Sequence, residues 1–229
     1  MFVLGDLHGA VNLHKKILRK AQVYGVETVC LGDICPPNLD YGYMDNYIRS
    51  NLDYTIIGNH DNPNSLLKRM NVVKSYAKWE LSNGIKIFLL SGASSINRNL
   101  IIKTNDYWNP LEELCLLELD KAFCEYKNYK PDVLIAHEAS SFAIDHLHLD
   151  EDNIFNLGLK IKSLTTQCLD QMISHHKPKL CINGHWHRQD SINIDGTTYI
   201  SVGYREVISI IQEDILTNKD SVRYDFFYD

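Results

Sequence analysis

Gly58-Asn59-His60-Asp61-Asn62 is the stretch on which the reading of this chain turns. It follows Tyr54-Thr55-Ile56-Ile57, a short apolar and β-branched run that reads as a buried strand entering a tight glycine turn. A strand ending in an amide, an imidazole and a carboxylate presents polar groups at the edge of a sheet. In open α/β sheets, ligands bind there, beyond the carboxyl ends of the strands. The arrangement recurs along the chain. Phe2-Val3-Leu4 runs into Gly5-Asp6-Leu7-His8-Gly9, and Thr28-Val29-Cys30-Leu31 into Gly32-Asp33. Val133-Leu134-Ile135-Ala136 ends at His137-Glu138, and Leu180-Cys181-Ile182-Asn183 at Gly184-His185-Trp186-His187. Recurrence at five apolar strands argues for a shared site.

The 229 residues suit one large domain with a substantial core. Hydrophobic (45%) and charged (23%) shares are those of an ordinary globular protein, and the net charge of -6 supplies no global basic field for nucleic acid or anionic membrane. A nuclease is disfavoured by this balance but not excluded, because a dinuclear metal site brings its own positive charge. None of the six cysteines forms a C-x-x-C pair, which fits free thiols in a reducing compartment. The first motif begins too soon after Met1 for a signal peptide, and no apolar run approaches the roughly 20 residues that span a bilayer. The expectation is a cytoplasmic protein with no membrane association and no obligate protein partner.

The first third alternates strand and helix. Val11 to Tyr24 is amphipathic, strand 28–31 follows, prolines 36 and 37 break the next loop, a helix is expected at about Met44 to Asn51, and strand 54–57 closes the unit. Such alternation indicates a parallel sheet covered by helices. In the middle, Asn83-Gly84 between Trp79-Glu80-Leu81 and Ile85 to Leu90 reads as a β-hairpin. A helix is expected from Pro110 to Tyr126, with Glu112 and Glu113 as favourable charges in its first turn, and another from Ile161 to Ser174. Segment 138–160 has few periodic apolar residues and reads as a loop or lid. The tail reads as strands at 191–194, 197–202, 206–211 and 222–228. With no repeat or linker, residues 1–229 read as a single domain of two helix-covered sheets.

The strand-end groups Asp6, His8, Asp33, Asn59, His137, His185 and His187 combine imidazole, carboxylate and amide ligands without thiolate, which suits manganese, iron or zinc. They are too many for one tetrahedral ion and enough for two ions sharing a carboxylate. Two such ions about 3.5–4 Å apart clamp both oxygens of an in-line displacement at phosphorus and activate a bridging water as nucleophile. His60, beside the ligand Asn59, is expected to project toward substrate, where a general acid or a stabilising cation belongs.

Asp6-Leu7-His8, Gly32-Asp33, Gly58-Asn59-His60-Asp61, His137 and Gly184-His185-Trp186-His187 resemble the five ordered motifs of the calcineurin-like metallophosphoesterases. The resemblance implies a four-layer αββα sandwich of two mixed sheets flanked by helices, and a dinuclear centre. Asp6, His8 and His187 would hold one divalent ion and Asn59, His137 and His185 the other, with Asp33 bridging and His60 acting on the leaving group. The ions are expected to be manganese, with iron, zinc, nickel or magnesium as alternatives.

The Ser/Thr protein phosphatases, which share the opening motif, continue G-D-x-x-D-R-G. Here Gly32-Asp33 is followed by Ile34-Cys35-Pro36-Pro37, so the phosphate-gripping arginine and the histidine-orienting aspartate are missing from that place. The orienting role passes to Asp61 or Asp40, and the gripping role to Arg98. Arg98 lies in Gly92-Ala93-Ser94-Ser95-Ile96-Asn97-Arg98, which with Tyr107-Trp108 and Glu112 is similar to a segment of small bacterial and phage members of the superfamily. His14, His146, His148, His175 and His176 fall outside the motifs and read as surface residues, and Trp186 as a packing residue. The function expected is hydrolysis of a phosphodiester with a nucleotide or nucleic-acid substrate. A phosphomonoesterase is the alternative, and a non-catalytic scaffold is disfavoured because every ligand position is filled.

Overall fold

Alternation along the strands separates the apolar side chains into three cores. In the computed structural model, which describes residues 1–34, 54–62, 71–95, 111–149, 162–216 and 224–226, Val3, Val29, Leu31, Ile56, Ile208 and Ile210 of one sheet meet Ile87, Leu89, Val133, Ile135, Leu180, Ile182 and Ile200 of the other. The neighbours of these residues point the opposite way, as strand pleating requires. Phe2, Leu4, Cys30 and Val207 turn outward onto Ile17, Leu18 and Ala21 of helix α1 (Val11–Tyr24). Phe88, Leu134, Cys181 and Tyr199 turn outward onto Leu119, Ala122 and Tyr126 of α2 (Leu116–Tyr129) and Leu169 and Met172 of α4 (Leu164–His175). The result is the four-layer αββα sandwich, with β1 and β2 of one sheet and β6, β7 and β9 of the other buried on both faces.

The first sheet holds β1 (Phe2–Leu4), β2 (Thr28–Cys30), β3 (Tyr54–Thr55), β10 (Val207–Ile210) and β11 (Tyr224–Phe226), in the order β11-β10-β1-β2-β3. The second holds β4 (Tyr76–Glu80), β5 (Lys86–Leu90), β6 (Val133–Ala136), β7 (Leu180–Asn183), β8 (Asp190–Ile194) and β9 (Thr197–Ser201), in the order β4-β5-β6-β7-β9-β8. β1, β2 and β3 run parallel, as do β5, β6, β7 and β9, while β4, β8, β10 and β11 pair antiparallel. Both sheets are therefore mixed. The strand-rich tail divides between them: β8 and β9 extend the second sheet, and β10 returns to pair with β1 at the centre of the first.

Several elements differ from the sequence reading. The helix expected from Pro110 begins at Leu116, because Cys115 adopts an extended conformation and Glu118 Oε2 accepts its N–H at 3.3 Å, closing the N-terminus five positions later. Glu112 and Glu113 consequently precede the helix and bond elsewhere. The segment read as a loop or lid contains α3 (Ser141–His146), capped by Ser140, whose Oγ accepts the Ala143 N–H at 3.2 Å. Its Ala143, with Leu147 and Leu149 after it, packs in the core, so 141–149 is not an open lid. A short helix, α5 (Gln212–Leu216), interrupts the tail. His14, expected on the surface, is fully buried on α1, and burial lowers its pKa to about 4. The expected helix at 44–51, the remainder of the lid at 150–160, Asp40, Arg98, Tyr107 and Trp108 lie outside the described residues.

Candidate metal centre

The carboxyl ends of β1, β2, β3, β6 and β7 open onto one edge, and hydrogen bonds lock their loops together across the two sheets. His8 N–H donates to Asp33 O at 2.7 Å, and Gly9 N–H to Ile34 O at 2.8 Å. Gly92 N–H donates to Ile57 O at 2.8 Å, and Gly184 N–H to His137 O at 3.1 Å. Close approach explains two of the glycines. A Cβ on Gly58 would strike the Asp33 carboxylate, and one on Gly184 would lie 2.5 Å from Asp6 Oδ1. Four of the expected ligands adopt left-handed backbone: His8 (φ 39°), Asp33 (φ 47°), His185 (φ 68°) and His187 (φ 56°). Non-glycine residues held there store of order 1–3 kcal/mol each, strain that the surrounding packing must offset and that clusters at functional sites.

All seven expected ligands converge. Asp6, His8, Asp33 and His187 each offer one ligand atom within 4.8 Å of the others. His187 Nε2 lies 3.1 Å from Asp6 Oδ2, and His8 Nε2 lies 3.3 Å from His187 Nε2 and 3.5 Å from Asp33 Oδ2. The bond to Asp6 raises the affinity of His187 for a proton, whereas burial lowers that of His8. Asp6 itself is held by the His185 N–H, at 3.2 and 3.1 Å from its two oxygens.

The second group comprises Asn59, His137 and His185. His137 Nδ1 donates to Leu31 O at 2.7 Å, and since a carbonyl only accepts, this bond leaves Nε2 carrying the lone pair of the neutral ring. Asn59 Nδ2 donates to Ser95 Oγ at 3.1 Å, which turns Oδ1 toward His137. With the ring neutral, His137 Nε2 and Asn59 Oδ1 are two acceptors facing each other at 3.1 Å, with Asp33 Oδ2 3.6 Å from the same nitrogen. A proton on Nε2, or a metal cation beside it, relieves their repulsion. Burial disfavours charge on His137, but Asp33 and Asp6 overturn this and raise its pKa to about 10, so the pocket draws positive charge. For Asp33, burial is likewise outweighed by His137, leaving its carboxyl well below the usual range.

Two further buried atoms fit a metal. Among the described residues, Asp33 Oδ2 and His185 Nε2 have no hydrogen-bond partner. Burial, then the neighbouring His137, lowers the His185 pKa, which keeps its ring neutral and its lone pair available. Asp33 Oδ2, 3.5 Å from His8 and 3.6 Å from His137, stands between the two groups where a bridging carboxylate belongs.

The residues expected to act on substrate divide. His60 is exposed, its N–H donates to Asp33 Oδ1 at 2.9 Å, and its ring centroid lies 5.3 Å from that of His8, at the mouth of the centre. Asp61 is buried, and its carboxylate accepts the backbone N–H groups of Asp33 (2.8 Å), Ile34 (2.9 Å) and Gly58 (2.9 Å). It ties the β2 and β3 loops together.

Five further residues escaped the sequence reading of the site. Tyr204, exposed, lies against the rings of His8 (5.4 Å) and His187 (5.2 Å). The Arg205 guanidinium stacks over Tyr204 at 4.6 Å and donates to His8 O at 3.4 Å. Glu138, buried and pushed up to about 7 by that burial, accepts from Trp186 Nε1 and Ser163 Oγ, each at 3.1 Å, fixing the 184–187 loop to the start of α4. Ser95 and Glu112 stand behind Asn59. Ser95 had a signal in the small-residue loop after β5 and Glu138 in its place at the end of β6, whereas Tyr204 and Arg205 belong to no pattern. A 570 Å³ concavity along α1 beside Lys15, Lys16, Arg19 and Lys20 shares no residue with the centre.

Fold and site together define a metal-dependent phosphoester hydrolase. The calcineurin-like phosphoesterase family model matches residues 1–189, and the chain belongs to that family. No curated protein sequence matches it. Solved structures share the fold at low identity. A Thermus thermophilus protein has 16% identity and a TM-score of 0.56, the alignment covering 98% of each chain. A dimetal phosphatase from Danio rerio has 11% identity and a TM-score of 0.53, covering 87% of this chain and 82% of its own. A Staphylococcus aureus protein, provisionally named a 5'-nucleotidase and crystallised with alpha-ketoglutarate, has 15% identity and a TM-score of 0.54; the chain aligns over 98% of its residues and spans about half (52%) of that protein. Among the described residues, no helix is long and apolar enough to cross a membrane.

Proposed function

We propose that the protein hydrolyses a phosphodiester, with a nucleotide or oligonucleotide as substrate, at a dinuclear site of Asp6, His8 and His187 on one side, Asn59, His137 and His185 on the other, and Asp33 between them. The observation that carries the reading is the gathering of ligand atoms from Asp6, His8, Asp33 and His187 within 4.8 Å of one another, with the buried Asp33 Oδ2 and His185 Nε2 lacking any hydrogen-bond partner. Two divalent ions, manganese first by ligand type, would supply an activated water and charge for an in-line displacement at phosphorus. The chain's own residues do the rest. His60, exposed beside His8, donates a proton to the leaving oxygen. Arg205, held against His8 by its own stacking on Tyr204, grips a non-bridging phosphate oxygen in place of the arginine missing after Gly32-Asp33. The exposed face of Tyr204 offers a stacking surface for a base, which favours a nucleotide ester. Asp61 keeps Asp33 and Gly58 in register, and so acts on geometry rather than on a proton.

The test is hydrolysis of bis(p-nitrophenyl) phosphate and p-nitrophenyl phosphate in parallel, by metal-stripped protein and after addition of manganese, nickel, zinc or magnesium. Metal-dependent turnover with the diester faster is expected. A faster monoester moves the substrate to nucleotide or protein monoesters. Two bound ions with neither substrate turned over refutes general phosphoesterase activity.

A further inference from the structure

A buried polar chain leads away from the second ligand group and ends at a carboxylate that touches no expected ligand. Glu112 Oε1 accepts the Ser95 N–H at 3.0 Å, and Oε2 accepts the Ser95 hydroxyl at 2.6 Å. Ser95 Oγ in turn accepts Asn59 Nδ2 at 3.1 Å. All three residues are buried, with Glu112 only 2% exposed. The Glu112 backbone is pinned as well. Its carbonyl accepts the Ala93 N–H at 3.1 Å and packs so closely on Gly92 (φ 91°) that a Cβ there would lie 3.3 Å from it.

The chain has a direction. An ionised carboxylate only accepts, so the single hydroxyl proton of Ser95 points at Glu112. Ser95 Oγ then has only lone pairs to offer Asn59, and the amide must turn its NH₂ toward Ser95 and its oxygen toward His137 Nε2. The two amide orientations are nearly equal in shape and opposite in polarity. One presents an oxygen to a cation, and the other presents N–H donors that repel it. Resting on the dinuclear reading above, we propose that Glu112 is a positioning residue whose charge, relayed through the Ser95 hydroxyl, sets the polarity of the Asn59 amide and so makes the Asn59–His137–His185 group a metal site. Groups that orient a ligand from behind typically change metal affinity by about 10–100-fold.

Exchanging charge between the two ends of the relay tests the inference. In Glu112→Gln, the new amide donates to Ser95 Oγ and frees its proton to favour the wrong Asn59 orientation. In Asn59→Asp, two carboxylates compete for one hydroxyl proton. In the double variant Asn59→Asp/Glu112→Gln, the relay runs in reverse. The amide at position 112 donates to Ser95, and Ser95 donates to the carboxylate at position 59, whose oxygens face the metal either way. Manganese titration of metal-stripped protein by calorimetry, with metal per chain counted after gel filtration, gives a readout independent of turnover. Wild type is expected to bind two ions. E112Q should bind the first normally and the second about 10–100-fold more weakly. The double variant should bind the second ion more tightly than either single variant. Unaltered binding of both ions by E112Q overturns the inference. So does a double variant no tighter than Asn59→Asp, because the carboxylate at position 59 strengthens binding by itself and only the reversed relay makes the amide at position 112 an advantage over Glu112. Wild-type protein that takes up a single ion refutes the dinuclear reading, and the inference with it, a result distinct from the other two.

Discussion

Replacing Asp61 with asparagine separates orientation of His60 from support of the site's backbone. In the structure, Asp61 Oδ2 accepts Asp33 N–H at 2.8 Å and Gly58 N–H at 2.9 Å, while Oδ1 accepts Ile34 N–H at 2.9 Å. The amide of Asp61→Asn keeps one oxygen, which serves the Asp33 and Gly58 pair, and its NH₂ then meets the Ile34 N–H donor to donor. The Ile34 N–H loses its acceptor, and a buried N–H left unpaired costs about 1–3 kcal/mol. Burial and the Asp33 charge raise the Asp61 pKa to about 7, a strain the neutral amide does not add to, so a net loss of about 1–3 kcal/mol follows. For a chain of this size, each kcal/mol lowers Tm by about 2–4 °C, so a fall of about 2–12 °C is expected. Calorimetric melting of the metal-stripped variant beside metal-stripped wild type measures it without interference from metal affinity. Lost turnover with an unchanged Tm would refute the account and return Asp61 to a role on His60 alone.

Asp33→Ala should abolish both metal uptake and turnover, whereas His60→Ala should abolish turnover and leave metal per chain at the wild-type level. Full activity in either variant contradicts the assigned roles. Arg205→Ala removes a charged contact and should lower kcat/KM by about 10–100-fold, with unchanged metal content; equal kcat/KM would remove Arg205 from substrate binding. His14 is buried, with its pKa lowered to about 4, so the unfolded chain binds the extra proton below about pH 6.5 and stability falls as pH drops through that window. By pH 4.5 this contribution reaches about 2.5 kcal/mol. Urea unfolding of metal-free wild type and His14→Leu at pH 7 and 4.5 should show the variant losing less stability by that amount, and equal losses would contradict it.

Much of the architecture was legible because its determinants are local. Short apolar runs ending in glycine or polar turns marked the strands, and α1 matches the expected Val11–Tyr24 helix, since an amphipathic stripe and a glycine stop are written in consecutive residues. The expected ligands were legible for the same reason: each follows a buried strand, and each strand ends at the same edge. The misread helix at Pro110 shows the limit. Proline and two glutamates make a plausible helix start, yet Glu113 Oε1 accepts the Thr165 N–H at 2.8 Å, and Glu112 binds Ser95. Long-range partners outweighed a local preference worth less than one hydrogen bond.

Sequence by itself determined the layers, the family and the chemical types at the centre, because periodicity and strand-ending residues are properties of neighbours in the chain. Tertiary structure alone decided that the tail strands divide between two sheets, that His14 is buried, that Asp61 clamps backbone, and that Tyr204 and Arg205 reach the rim. It also decided which way the Asn59 amide points, for a physical reason that no residue type carries: an amide's polarity is set by the donors and acceptors that face it, and here those come from Ser95, Glu112 and His137, remote in sequence and adjacent only in the fold.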